Sequence, residues 1–127
     1  MTTTSSLRWG RIALGGLLPE LALILAVIPM RMAGSSDNAV NVLAMAGSFL
    51  LFVPVAYWLG RSLPRPILHG VLMGAVATAI YLVLQVLATM YAPEPPVVPW
   101  FYYLGHALKL AGGATGGWLA ARSTATR

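Results

Sequence analysis

Cysteine is absent from the 127 residues, and acidic residues number only three. The first absence excludes disulfides, thiolate metal sites and cysteine nucleophiles, and it leaves the redox compartment undetermined. Charged residues make up 9% of the chain against 58% hydrophobic, where an ordinary water-soluble domain carries roughly 25% charged residues. A soluble reading is therefore excluded, and the mean hydropathy of +0.78 belongs to a membrane protein. The eight basic residues give a net charge of +5. They stand singly at the ends of apolar segments and form no continuous basic stripe, so nucleic acid is not an expected partner.

What is present is apolar length. Four stretches, about 9–30, 39–60, 66–91 and 98–121, each approach the ~20 residues that cross ~30 Å of hydrocarbon. They predict an all-α, single-domain integral membrane bundle of four transmembrane helices. The breaks carry turn chemistry: Gly34-Ser35-Ser36-Asp37-Asn38, Arg61-Ser62-Leu63-Pro64-Arg65 and Ala92-Pro93-Glu94-Pro95-Pro96. Pro66 suits a first helical turn, and Asp37 or Asn38 can cap the second helix. The first stretch is read as an uncleaved helix, since it is longer than a signal-peptide core and Glu20 interrupts it.

Arg8, Arg11, Arg61, Arg65, Arg122 and Arg127 fall on one side of this topology and Arg31 on the other. The positive-inside bias then places both termini in the cytoplasm. Aromatic residues agree, with Trp9, Tyr57, Trp58 and Trp118 at the inner interface and Tyr91, Trp100, Tyr102 and Tyr103 at the outer one. The proline-rich loop 93–99 reads as stiff and extended, and the aromatic cluster after it as an interfacial anchor.

The last stretch carries two rows of glycine at four-residue spacing, Gly112 with Gly116 and Gly113 with Gly117, which Ala120 and Ala121 extend. Small residues at this interval let a neighbouring backbone approach, the main route to helix association where lipid offers no hydrophobic drive. On the third helix Gly70, Gly74, Thr78, Tyr81 and Gln85 share one stripe, small at its cytoplasmic end and polar at its outer end. This stripe either faces the bundle, with its polar members hydrogen-bonding across helices, or lines a polar cavity in the outer half of the membrane.

Opposite charges interrupt the first and last helices. Glu20 and Lys109 lie ~13–20 Å from the inner interface at ~1.5 Å per residue, within about one turn of each other. An ionisable group at that depth costs about 2.5–3.5 kcal/mol by insertion scales and is seldom without a partner or a task. First and last helices are normally neighbours in an up-down bundle, so the two can pair. The pair either fixes which helix faces which or belongs to a relay or solute site with His106, one turn outward on the face of Lys109; a third reading has either charge meet a helix of a partner subunit instead.

His69 lies near the cytoplasmic end of its helix and His106 in the outer half of its own, so no metal or haem site is expected. No phosphate loop and no nucleophile, base and acid constellation is present, and Ser48 lacks a base; no cofactor and no enzymatic activity are expected. Gly60-Arg61, His69-Gly70, Gly74, Tyr81 and the run Gly112 to Gly117 resemble small bacterial four-helix membrane proteins of uncharacterised function. The resemblance implies a bacterial inner-membrane location and supplies no activity. The expected role is a structural or accessory subunit of a membrane complex, the partners being the lipid bilayer and either a second copy or a larger membrane protein. The alternative is a small oligomeric transporter or channel component moving protons or a polar solute past Glu20, Tyr81, Gln85, His106 and Lys109.

Overall fold

The computed structural model describes residues 6–92, 94 and 99–125. All regular structure among them is helical: α1 (Trp9–Met32), α2 (Asp37–Leu50), α3 (Phe52–Gly60), α4 (Pro66–Tyr91) and α5 (Trp100–Ala125). Helices α2 and α3 form one rod, because Leu51 between them keeps right-handed helical dihedrals. Pro54 accounts for the interruption. It has no N–H to offer the carbonyl of Leu50 one turn back, and its ring crowds that turn.

Three of the four rods are long and apolar enough to cross a membrane: Trp9–Met32, Asp37–Gly60 and Pro66–Tyr91. The fourth, α5, has 26 residues but is not among them, since its glycines, His106 and Lys109 dilute its apolar content. The expected boundaries shift slightly. The second rod starts at Asp37 and not at residue 39, because Ser36 is the cap: its backbone is extended and its hydroxyl accepts from the Ala39 N–H at 3.3 Å. Asp37 instead occupies the first turn and pairs with Arg31 across the connection. The fourth rod runs from Trp100 to Ala125; residues 95–98, where its start and most of the stiff loop were expected, lie outside the described residues.

Helix α5 sits between two partners, and each glycine row serves one of them. Gly113 and Gly117 face α4, where a Cβ on Gly113 would strike the Gly70 carbonyl and one on Gly117 the Pro66 carbonyl. Gly112 and Gly116 face the α2–α3 rod, and a Cβ on Gly112 would lie 2.7 Å from the Phe49 carbonyl oxygen. Helix α1 packs on α4 from the other side, with Gly16 close enough that a Cβ would lie 2.7 Å from the Met73 carbonyl oxygen.

This arrangement corrects the expectation that first and last helices are neighbours. No Cα atoms of α1 and α5 come within 8 Å among the described residues, while α1 touches α2, α3 and α4. Since α5 spends both small faces on the middle rods, α1 is left diagonally opposite it. The glycine-bearing ends of all rods gather at the end where Arg11 reaches the Leu59 carbonyl at 3.4 Å and the Ser62 hydroxyl.

His69 fastens the same end. It is 1% exposed, its Nδ1 lies 3.1 Å from the Arg65 carbonyl, and its Nε2 accepts the Arg8 N–H at 3.2 Å. These partners define the neutral tautomer protonated at Nδ1. Arg8 opens α1 without a side-chain cap, so the imidazole ties the entry of α1 to the first turn of α4. Replacing His69 by leucine leaves the Arg8 N–H without its partner, while the Arg65 carbonyl keeps the backbone N–H of residue 69. The expected cost is about 1–2 kcal/mol, read as a lower melting temperature in detergent together with faster proteolysis ahead of Trp9; unchanged melting would deny His69 this role.

Candidate functional site

The close approach of α4 to α5 ends one turn beyond Gly70 and Gly113. At Gly74 a Cβ would still lie 2.7 Å from the Lys109 carbonyl oxygen. Farther from the glycine end, past Thr78, the seam carries rings: Tyr81 stands 4.8 Å from His106 and 5.9 Å from Tyr102, stacked on the latter, and Tyr102 stacks on Phe101 at 5.1 Å. Rings replace hydrogens in the seam, so the rods cannot stay as close as in the glycine half. Space opens between them.

Glu20 and Lys109 lie where the tight half gives way to the open half. Gly15 and Gly16 bring α1 onto α4 just before Glu20, and Pro19 beside it is fully buried. Each charged residue is 4% exposed, and Lys109 Nζ reaches Glu20 Oε2 at 2.7 Å across the bundle diagonal. The contact has the length of an ion pair without hydrogen-bond alignment, and Oε2 has no hydrogen-bond partner. The ammonium also stands 5.3 Å from the centre of the Tyr81 ring, within reach of a cation–π attraction. His106 Nδ1 is likewise buried and without a partner.

Two adjoining lobes extend from this pair. One, of about 260 Å³, lies among α1, α2 and α5 and is walled by Leu23, Ile24, Val27, Met45, Ser48, Tyr102 and His106 above Glu20 and Lys109. The other, of about 560 Å³, lies among α1, α4 and the first turns of α2 and α5, touches Glu20 but not Lys109, and adds Asp37, Leu84, Gln85 and Pro99. Both include Glu20, Tyr81 and Arg31. The side chains of Arg31 and Asp37 are 46% and 81% exposed, so the space leads from a buried charge pair to the surface.

The structure thus brings Glu20, Lys109, His106 and Tyr81 together. Gln85 lines the wider lobe one turn beyond Tyr81, away from the pair. Thr78 does not bond across helices: its hydroxyl donates to the Gly74 carbonyl of its own helix at 3.0 Å, the local alternative open to a helical threonine. Gly70, Gly74, Gly112, Gly113, Gly116 and Gly117 all lie in the closed half. Sequence reasoning missed Tyr102, assigned to the outer interface. Its signal was spacing, since Tyr102, His106 and Lys109 follow at four and three residues and share a face. Ser48 also enters the wall, with its hydroxyl donating to the Ala44 carbonyl at 2.7 Å.

The arrangement can hold a small polar group. The two charges cancel, the wall above them is mostly apolar and aromatic, and two polar atoms at the floor have unused hydrogen-bonding capacity. The chain matches no family model, no curated protein and no solved structure.

Proposed function

We propose that the protein is a four-span integral membrane protein of a bacterial inner membrane, both termini cytoplasmic, that takes a small polar solute into a site at the Glu20–Lys109 pair from the outer side. One observation carries the reading: a buried ion pair forms the floor of the narrower lobe, which reaches Arg31 and adjoins, at Glu20, the wider lobe that reaches the exposed Asp37. A pair needed only to hold helices together gains nothing from an open space above it. Three rods of membrane length, the arginine asymmetry and the rim of exposed Trp9 and Trp58 at one end with Tyr91 and Trp100 at the other support the placement. The glycine rows, which could have served a second copy, are occupied within the chain.

A second reading rests on the closed half. Below the pair the rods touch backbone to backbone, so the cavity is closed on that side, and onward movement would fall to a second copy or a larger membrane partner. In that case the chain is the solute-receiving accessory subunit of a complex.

The lack of cysteine makes the test direct. In intact cells an impermeant thiol reagent is expected to label Ser35→Cys and Ala44→Cys, the latter within the narrower lobe, and to label Ser62→Cys only after permeabilisation. Labelling of Ser62→Cys from outside would reverse the topology, and an inert Ala44→Cys would remove the outward opening.

A further inference from the structure

We infer that the site takes an apolar α-amino acid, bound as its zwitterion across Glu20 and Lys109 with its side chain in the narrower lobe. The inference rests on the reading of the cavity as a solute site, and it names the solute by charge balance. In the empty protein the two buried charges satisfy each other. An incoming cation would take Glu20 and leave the buried Lys109 ammonium unpaired, and an anion would strand Glu20; removing one partner of a buried pair is strongly unfavourable. A zwitterion exchanges partners with both at once, ammonium to Glu20 and carboxylate to Lys109, and leaves no charge uncompensated. The mouth carries Arg31 with Asp37, so it too is balanced and exerts no net preference for an ion of either sign.

Hydrogen-bond accounting agrees. His106 Nδ1 is buried without a hydrogen-bond partner, and Glu20 Oε2 has only the Lys109 ammonium, held as an ion pair without a hydrogen bond; both residues line the narrower lobe. An α-ammonium carries three N–H donors, enough for the carboxylate oxygen and for the imidazole nitrogen in its Nε2-protonated tautomer. Above the floor Leu23, Ile24, Val27 and Met45 offer apolar wall, suited to a branched aliphatic side chain. About 260 Å³ lies just under the ~300–1,000 Å³ of typical ligand pockets, which suits a solute of a few heavy atoms.

The test compares three probes of one carbon skeleton on the full chain in detergent: L-leucine, isoamylamine, which lacks the carboxylate, and isocaproate, which lacks the amine. Leucine is expected to raise the melting temperature saturably, with no shift from either analogue. It is also expected to protect Ala44→Cys from the thiol reagent, and both effects should vanish in the Glu20→Gln, Lys109→Gln double variant. No shift and no protection by leucine would overturn the inference, as would an amine or acid that matches it, or a double variant that keeps the full leucine shift. If Ala44→Cys is reactive but leucine neither shifts nor protects, the amino-acid assignment falls and the open cavity stands. If Ala44→Cys is inert, the cavity reading falls and takes the amino acid with it.

Discussion

Gly113→Ala is expected to lower the stability of the bundle by about 3 kcal/mol or more, the upper end of overpacking costs. One methyl group does this because it has nowhere to go. The position it would take is held by the carbonyl oxygen of Gly70, and the reverse holds for a methyl on Gly70 and the carbonyl of Gly113. A flexible side chain could rotate aside, but a backbone carbonyl moves only with its helix. The present geometry directs a glycine Cα–H of each helix at the other's carbonyl, a weak attraction worth about 0.5–1 kcal/mol that is also lost. Two controls separate crowding from helix propensity. A Cβ on Gly10 meets nothing within 4 Å, and one on Gly105 meets only the Ser48 hydroxyl at 3.8 Å. Both should accept alanine with no loss, and alanine favours a helix over glycine. Thermal unfolding in detergent, scored by retention of the monodisperse species, reads all three; equal losses at Gly113 and Gly105 would refute the backbone contact.

The second large effect concerns the diagonal pair. Glu20→Gln and Lys109→Gln singly are each expected to cost about 3 kcal/mol, the lower end for breaking a buried pair, since water in the cavity can reach the charge left behind. Together they should recover much of that loss, because two amides can hydrogen-bond to each other and no charge remains buried. The double-variant cycle is the readout. Strictly additive losses would mean that the two residues do not interact in the folded protein, whatever their separation.

These two effects mark what the sequence made legible. Apolar length placed four rods within a few residues, and four-residue spacing picked out the glycines that touch neighbouring backbone. Both are properties of single helices, which a linear pattern records. The depth of Glu20 and Lys109 was likewise countable along each rod. Their diagonal relation was not, because it depends on which rods the two glycine rows of α5 choose, and that is a competition among faces. The pattern did hold part of the answer: two adjacent small rows on one helix call for two close neighbours, and α2–α3 and α4 fill both places. Tyr102 was misplaced for a related reason. An aromatic near a helix start has the composition of an interfacial anchor, and only its register with His106 and Lys109 turns it inward. The interruption at Leu51 was readable from Pro54, whose missing N–H falls one turn after Leu50.

The modest apolar content of α5 bears on the order in which the protein is made. In the membrane reading, α1, the α2–α3 rod and α4 can each partition into lipid unaided, whereas α5 brings a lysine whose entry costs about 2.5–3.5 kcal/mol and glycines that contribute little. It needs a reception already prepared: the carbonyl seams of α4 and α2–α3 for its glycines, and the carboxylate of α1 for its ammonium. Translation delivers those elements first. Until α5 arrives, Glu20 in that reading is an acid without its counter-charge, and a chain stalled before Trp100 keeps it so.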